Sequence, residues 1–426
     1  MCKVSRIITL LVVIVLVFGC GSSAKFTRIK QKHHKVVLEN VGDRLTILSS
    51  MAFMKPNTQY IVRGDYSFDG RTAKVGRNCS IILDGGSLRD GAIFGEDTFI
   101  EVLQDKRSFR DISFIGTFLM PIIKSDYFEI DETSLADIFS LSSSRIKNDI
   151  YINDNLSATI PSEWNGAVIT KSLSDVYLNA DIILNTCSFK GGNVFYIRDC
   201  HDVNISGSGQ IVGDLLTHIG DEGESVYGIL IRNAENVSIS GITCKLFWGD
   251  GIYIYPGVVT DGFLPVCRNI VIDNVTCDSN RRQGISIVGG ENIVIKNSRL
   301  LNTGEIKGTA PSSGIDIEPA KGLSVDNIVI DNCEFVNNGA NAKYPSDLQV
   351  VNNYGSVKIK NCRLNNFFYG RADNIDFENC VIKGKFYTSS NGIGKNIRLI
   401  NSQVKTIHKN LIKKGNVNLL NTSIDD

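Results

Sequence analysis

Beyond residue 200 the chain alternates apolar and polar positions in short bursts that end in turn residues. Asp202-Val-Asn-Ile-Ser-Gly207 is echoed by Asn236-Val-Ser-Ile-Ser-Gly241, and further copies begin at Asn269, Asn292, Asn327, Ser356, Asn374, Asn396 and Asn416. Each copy places two apolar residues two positions apart, the period of a strand with one buried face, and none fits a helical period. A second family is interleaved with the first: Gly228-Ile-Leu-Ile, Gly251-Ile-Tyr-Ile, Gly284-Ile-Ser-Ile and Gly314-Ile-Asp-Ile, with Asp347-Leu-Gln-Val as a weaker member. Each repeat therefore holds at least two short strands. Stacking like strands in parallel, about 4.8 Å apart, buries continuous rows of Ile and Val. The pattern predicts an all-β chain whose main body is a right-handed parallel β-helix, a solenoid. Asn closes the first-family strand in seven of the nine copies, where its side chain is expected to bond turn backbone in its own coil and the next.

Upstream the pattern is looser. Alternation with glycine turns across residues 41–123 predicts a leading β region, and Leu135, Ile138, Phe139 and Leu141 at helical spacing predict a short capping helix within Glu132–Ser144. The expected organisation is an N-terminal β region and cap over 41–165 and the solenoid over 166–426. Residues 20–40 read as a tether. Residues 1–19 read as a signal peptide, because Lys3 and Arg6 precede the apolar run Ile7 to Phe18, which is too short for a stable span. The run ends in Leu16-Val17-Phe18-Gly19-Cys20, which resembles the lipobox of bacterial lipoproteins. That resemblance implies lipidation of Cys20 and a membrane contact made through the lipid anchor. The expected location is the outer membrane, on its periplasmic face or at the cell surface.

Composition narrows the partners. Lys and Arg number 45 against 45 Asp and Glu, so no net field is available to hold nucleic acid. With 42% hydrophobic and 21% charged residues, wholesale disorder is excluded. Of the 11 cysteines, several recur as Asn332-Cys333, Asn361-Cys362 and Asn379-Cys380, which reads as small packing residues stacked in equivalent turns. No Cys or His cluster has zinc-ligand spacing, so no metal ligand set is expected. A monomer is expected.

From about 200 to 340, a third of the chain, the sequence resembles pectate-lyase-like right-handed β-helix proteins of bacterial polysaccharide systems. The resemblance is carried by His218, Gly223-Glu224, Trp248-Gly-Asp-Gly-Ile-Tyr-Ile254, Arg281-Arg-Gln-Gly-Ile-Ser-Ile287 and Gly314-Ile-Asp-Ile-Glu-Pro319. It implies action on a polysaccharide or oligosaccharide. The related polygalacturonase-like hydrolases carry an adjacent Asp pair and a Gly-His-Gly on successive coils. Here Asp250 has no acidic neighbour in sequence, and Gln283 stands in the place of that His.

On a solenoid strand the residues between the buried Ile point outward. Asp316 and Glu318 thus share a face, their Cα atoms about 6.5 to 7 Å apart, with Asp250 roughly 10 Å away along the stack. Carboxyls about 6.5 to 9.5 Å apart suit an inverting glycosidase, with room for a water opposite the leaving group. Asp250, Asp316, Glu318 and Arg282 are therefore the candidate catalytic residues. Trp248, Tyr253, Tyr255, Arg281, His218 and Glu224 are the candidate substrate contacts, since aromatic faces beside carboxylates suit sugar rings. Outward acids on a solenoid are more often a solvated face, but their convergence with arginines favours a site. An outward Asp316 is expected to hold no packing, so that Asp316→Asn spares stability. Glycoside hydrolysis is preferred and needs no cofactor. A lyase acting on a uronate polymer would use Ca²⁺, and a non-catalytic glycan binder is the alternative from another class.

Overall fold

The structure is a computed structural model that describes residues 34–39, 45–258, 265–340, 342–388, 394–407, 411–412 and 416–425. The signal segment and Cys20 lie outside the described residues. The chain divides into two compact units, Met1–Asp154 and Asn155–Asp426.

In the first unit, short strands His34–Leu38, Thr58–Val62 and Ser80–Leu83 pair in parallel with one another, and Ser80–Leu83 pairs with Ser87–Val102. Ser87–Val102 runs parallel to Phe109–Leu119. The helix within 132–144 is observed as Ser134–Ser140, shorter than expected, burying Leu135, Ile138 and Phe139. It ends where the Leu141 amide bonds back to the Ile138 carbonyl, a tightened last turn.

The second unit is a right-handed parallel β-helix with three strands per coil. One row of strands is the first sequence family, with Val203, Val237, Ile270, Ile293, Ile328 and Val357 in register. A second is the other family, with Ile229, Ile252, Ile285, Ile315, Leu348 and Phe367 in register. The third, of three-residue strands, aligns Ile211, Cys244, Cys277, Leu300 and Phe335. It escaped the repeat because one aligned residue in a three-residue strand is too short to show a period. Ile252, Ile254, Ile285, Ile287, Ile315 and Ile317 are wholly buried, each contributing on the order of 1.5–3 kcal/mol of transfer free energy.

The asparagines behave differently from expectation. Most bond Asn or Asp side chains of the preceding coil rather than turn backbone, Asn374 alone among those bonded donating to a carbonyl, that of Tyr354, and they stand at exposed positions. Asn236, Asn269, Asn292 and Asn327 form one ladder at the strand starts, with 2.7–3.2 Å between successive side chains. Asn297 and Asn332 continue a second at the strand ends, 2.8 Å apart. All of these residues have positive φ, near 52 to 56°, the left-handed region that Asn tolerates better than other side chains. Cys333, Cys362 and Cys380 are buried at successive turns, as the repeat implied, and the nine cysteines among the described residues are all free.

Candidate active site

Two rows of polar side chains interlock on the sheet of the second family. Asp250, Gln283, Ser313 and Ser346 each stand two residues before a strand, at equivalent positions of successive coils. Ser286, Asp316 and Gln349 stand at the outward position within those strands and pair in register. The glycine between the two positions is required by the stack: a Cβ at Gly284 would lie 2.5 Å from the Gly314 carbonyl oxygen.

The rows are joined by hydrogen bonds that step from one coil to the next. Ser286 Oγ donates to Asp250 Oδ2 at 2.7 Å. Gln283 Nε2 donates to Asp316 Oδ2 at 2.8 Å, and Gln349 Nε2 donates to Asp316 Oδ1 at 2.9 Å. Arg282 Nη1 donates to Asp250 Oδ2 at 3.1 Å, while its Nε lies 3.5 Å from the exposed Glu224.

Both aspartates are therefore buried, Asp250 at 0% and Asp316 at 3% exposure, which corrects the expectation of a solvated face. Facing away from the coil interior does not mean facing water here, because the glutamine and serine rows cover the carboxylates. Burial pushes the Asp250 carboxyl up to about 6, against the opposing charge of Arg282 and the bond from Ser286. Burial and the neighbouring Glu318 push Asp316 up to about 7, with Asp250 adding repulsion and Arg282 opposing it. Burial alone would lower Arg282, yet Asp250, Tyr227, Glu224 and Asp316 together hold its guanidinium above the usual range. The result is a compact group of two proton-retaining carboxyls with one fixed cation.

The remaining candidates divide. Tyr253 stacks on Tyr227 at 4.5 Å and lies 6.1 Å from Tyr255; both Tyr253 and Tyr255 are half-buried, and Tyr253 feels the charge of Asp250 and Asp316. Glu318 is half-buried, one residue past the strand Ile315–Ile317 that carries Asp316. Trp248, expected as a sugar platform, is instead enclosed at 1% exposure. His218 stacks on it at 4.2 Å, and the Arg281 guanidinium lies 3.8 Å from its ring centroid. Arg281 does not reach the acids: it donates to the Gly223 and Lys307 carbonyls, and Trp248 Nε1 donates to Gly223 as well. His218 is likewise buried, with Nδ1 2.8 Å from Asp214 Oδ2. These three side chains build the wall of the site rather than its surface.

Sequence reasoning passed over two features. Gln283 stood out only as the residue in place of a His, and that it and Gln349 hold Asp316 is not legible in sequence because amides carry no catalytic signature. Cys187 joins Asp214 and His218, a contact that spacing along the chain does not reveal. The outward row also extends further than the candidates did: Tyr196, Leu230, Tyr253, Ser286, Asp316, Gln349, Phe368 and Tyr387 are in unbroken register.

No family model matches the chain. It is 30% identical over 220 residues to the uncharacterized protein YclG of Bacillus subtilis (strain 168), a match that covers 48% of this chain and 37% of that protein. Among solved structures, the mannuronan C-5 epimerase AlgE4 A-module of Azotobacter vinelandii aligns with a TM-score of 0.46 at 12% identity, over 65% of this chain and 87% of that one. The catalytic domain of a GH87 alpha-1,3-glucanase in complex with nigerose aligns at 0.39 and 12% identity, over 87% and 63%. The tailspike gp49 of Acinetobacter baumannii bacteriophage Fri1, a capsular polysaccharide depolymerase, aligns at 0.41 and 16%, over 71% and 57%. At such scores the chemistry has to be read from this chain's own residues.

Proposed function

We propose that this chain is a carbohydrate-active enzyme that hydrolyses glycosidic bonds of an extended glycan at Asp250 and Asp316. The observation that carries the reading is the pair of buried carboxyls, one with its cation and one without. Asp250, held by Arg282 and Ser286, is the group better able to ionise and serves as general base toward water. Asp316 has only amide donors and the higher proton affinity. It serves as general acid, delivering its proton to the leaving glycosidic oxygen. Water gives one proton to Asp250 and its hydroxyl to the anomeric carbon, so the step balances. The partly exposed Arg282 and Glu318 mark where the pair meets solvent, and Tyr253 and Tyr255 offer ring faces beside it.

Two alternatives are weaker. In a lyase, Ca²⁺ held by the acids would have to displace the Arg282, Ser286 and glutamine donors already on them, and a base would have to come from Arg281, which is committed to carbonyl groups, or from Arg282, which is committed to Asp250. A glycan binder without catalysis is favoured by one observation, that both carboxyls are enclosed. Digestion of a polysaccharide panel separates the three. Hydrolysis releases reducing ends that Asp316→Asn abolishes, a lyase gives unsaturated uronate ends, and a binder retains glycan and releases nothing. The lipid anchor at Cys20, the outer-membrane location and a monomeric state belong to the same proposal.

A further inference from the structure

Outside the carboxylate pair, three metal-binding side chain types converge in one place. Cys187 follows the strand Ile182–Leu184 on one coil, and Asp214 and His218 lie one turn apart in the segment after Gln210–Val212 on the next. Cys187 Sγ is 3.3 Å from Asp214 Oδ2 and 3.9 Å from His218 Nδ1, and Nδ1 is 2.8 Å from the same Oδ2. Asp214 and His218 are 2% and 7% exposed, whereas Cys187 is half-buried and leaves an approach from solvent.

The arrangement is not that of a nucleophile and its base. In such a pair the thiol faces one ring nitrogen and the carboxylate the other. Here Sγ and Oδ2 both face Nδ1, and Nε2 has no hydrogen-bond partner. Asp214 Oδ1 is buried without a partner as well, so the carboxylate keeps a second oxygen that no protein group claims.

We propose that Cys187, Asp214 and His218 bind a divalent cation of zinc type. Thiolate, imidazole and carboxylate together select a borderline-soft metal over calcium or magnesium. With bonds of about 2.0 to 2.3 Å, tetrahedral donors stand roughly 3.3 to 3.6 Å apart. The observed edges bracket that range, the short one being the Nδ1 to Oδ2 hydrogen bond that the cation replaces. Binding sends the thiol proton to solvent and moves the ring proton from Nδ1, where the metal takes its place, to Nε2. Three protein ligands leave a fourth position for water. The cation pins the 214–218 turn to the preceding coil and fixes the ring on which Trp248 stacks. The site is independent of the glycan chemistry and stands or falls without it.

The test uses the purified protein, stripped with chelator and titrated with Zn²⁺ against a chromogenic competitor. One Zn²⁺ per chain is expected, with a change in the fluorescence of Trp248, one of the chain's 2 tryptophans. Co²⁺ is expected to give a thiolate-to-metal charge-transfer band. Cys187→Ser, at a half-buried position, should keep the far-ultraviolet spectrum and melting point of the stripped protein. It should lose the cobalt band and bind Zn²⁺ more than about tenfold more weakly. Failure of the folded wild type to take up Zn²⁺, or equal affinity and an equal cobalt band in Cys187→Ser, overturns the site.

Discussion

Asp316 stands in register between Ser286 and Gln349, and its carboxyl oxygens accept hydrogen bonds from two side-chain amides. That environment sets two predictions. Unfolded, Asp250 and Asp316 titrate near 3.8; folded, their carboxyls are pushed to about 6 and about 7. Between those values the folded chain holds protons that the unfolded chain has released. Their contribution to stability is therefore greatest below about 4, declines as pH rises, and is fully lost above about 7. Melting temperature should fall across that window, and Asp316→Asn should flatten the fall; an unchanged slope would show that Asp316 is not the group held protonated. The expectation that this substitution leaves packing untouched gives way to a narrower one. An asparagine fits the space but offers an amide to Gln283 and Gln349, which must turn to receive it. On activity, kcat/KM should rise through about 6 as Asp250 ionises and fall through about 7 as Asp316 does. Asp316→Asn should lower kcat by roughly 10²- to 10⁴-fold and abolish the alkaline limb.

Among the structural elements, the asparagine ladders convert turn geometry into cohesion between coils. Asn332 has φ of 52° and donates to Asn297, so it serves the turn and the ladder at once. Asn332→Ala should cost about 1–2 kcal/mol for the left-handed backbone, plus the smaller ladder term. Asn332→Gly removes the ladder bond but keeps the turn, so it should cost less. Denaturant midpoints of the two variants separate the contributions, and equal losses would show that backbone conformation does not matter there. Neither variant should alter turnover, since the ladder lies on a different strand family from the carboxyls.

Across the second unit, the outward row from Tyr196 to Tyr387 covers seven coil steps of about 4.8 Å, roughly 34 Å, with the carboxyls in its middle. Beyond Gln349 it becomes aromatic: Phe368 stacks on Tyr344 at 4.8 Å and lies 5.3 Å from Tyr387. If a glycan follows this row, Tyr344→Ala should raise KM for long oligosaccharides and leave short ones unchanged. An equal effect on both lengths would remove the far end of the row from the binding path. At the other end of the chain, Cys20→Ala should abolish incorporation of labelled fatty acid, and a variant that still incorporates label would remove the proposed anchor.

The solenoid was legible in the sequence because its determinants are local and repeated. Ile252 and Ile254, Ile285 and Ile287, Ile315 and Ile317 announce their strands within three residues, and stacking merely multiplies that signal. The same reading placed Asp250, Arg282, Asp316 and Glu318 on neighbouring coils of one sheet. What it could not supply was their environment. Whether an outward acid meets water depends on side chains some 33 residues away in sequence, such as Gln283 and Gln349 on either side of Asp316. For the same reason Trp248 reads as a surface ring in the sequence although His218 and Arg281 pack against it, and Cys187, Asp214 and His218 read as unrelated. Periodicity reports which face a residue takes. Burial, proton affinity and convergence are properties of the stack, and they arise only when coils distant in the chain come into contact.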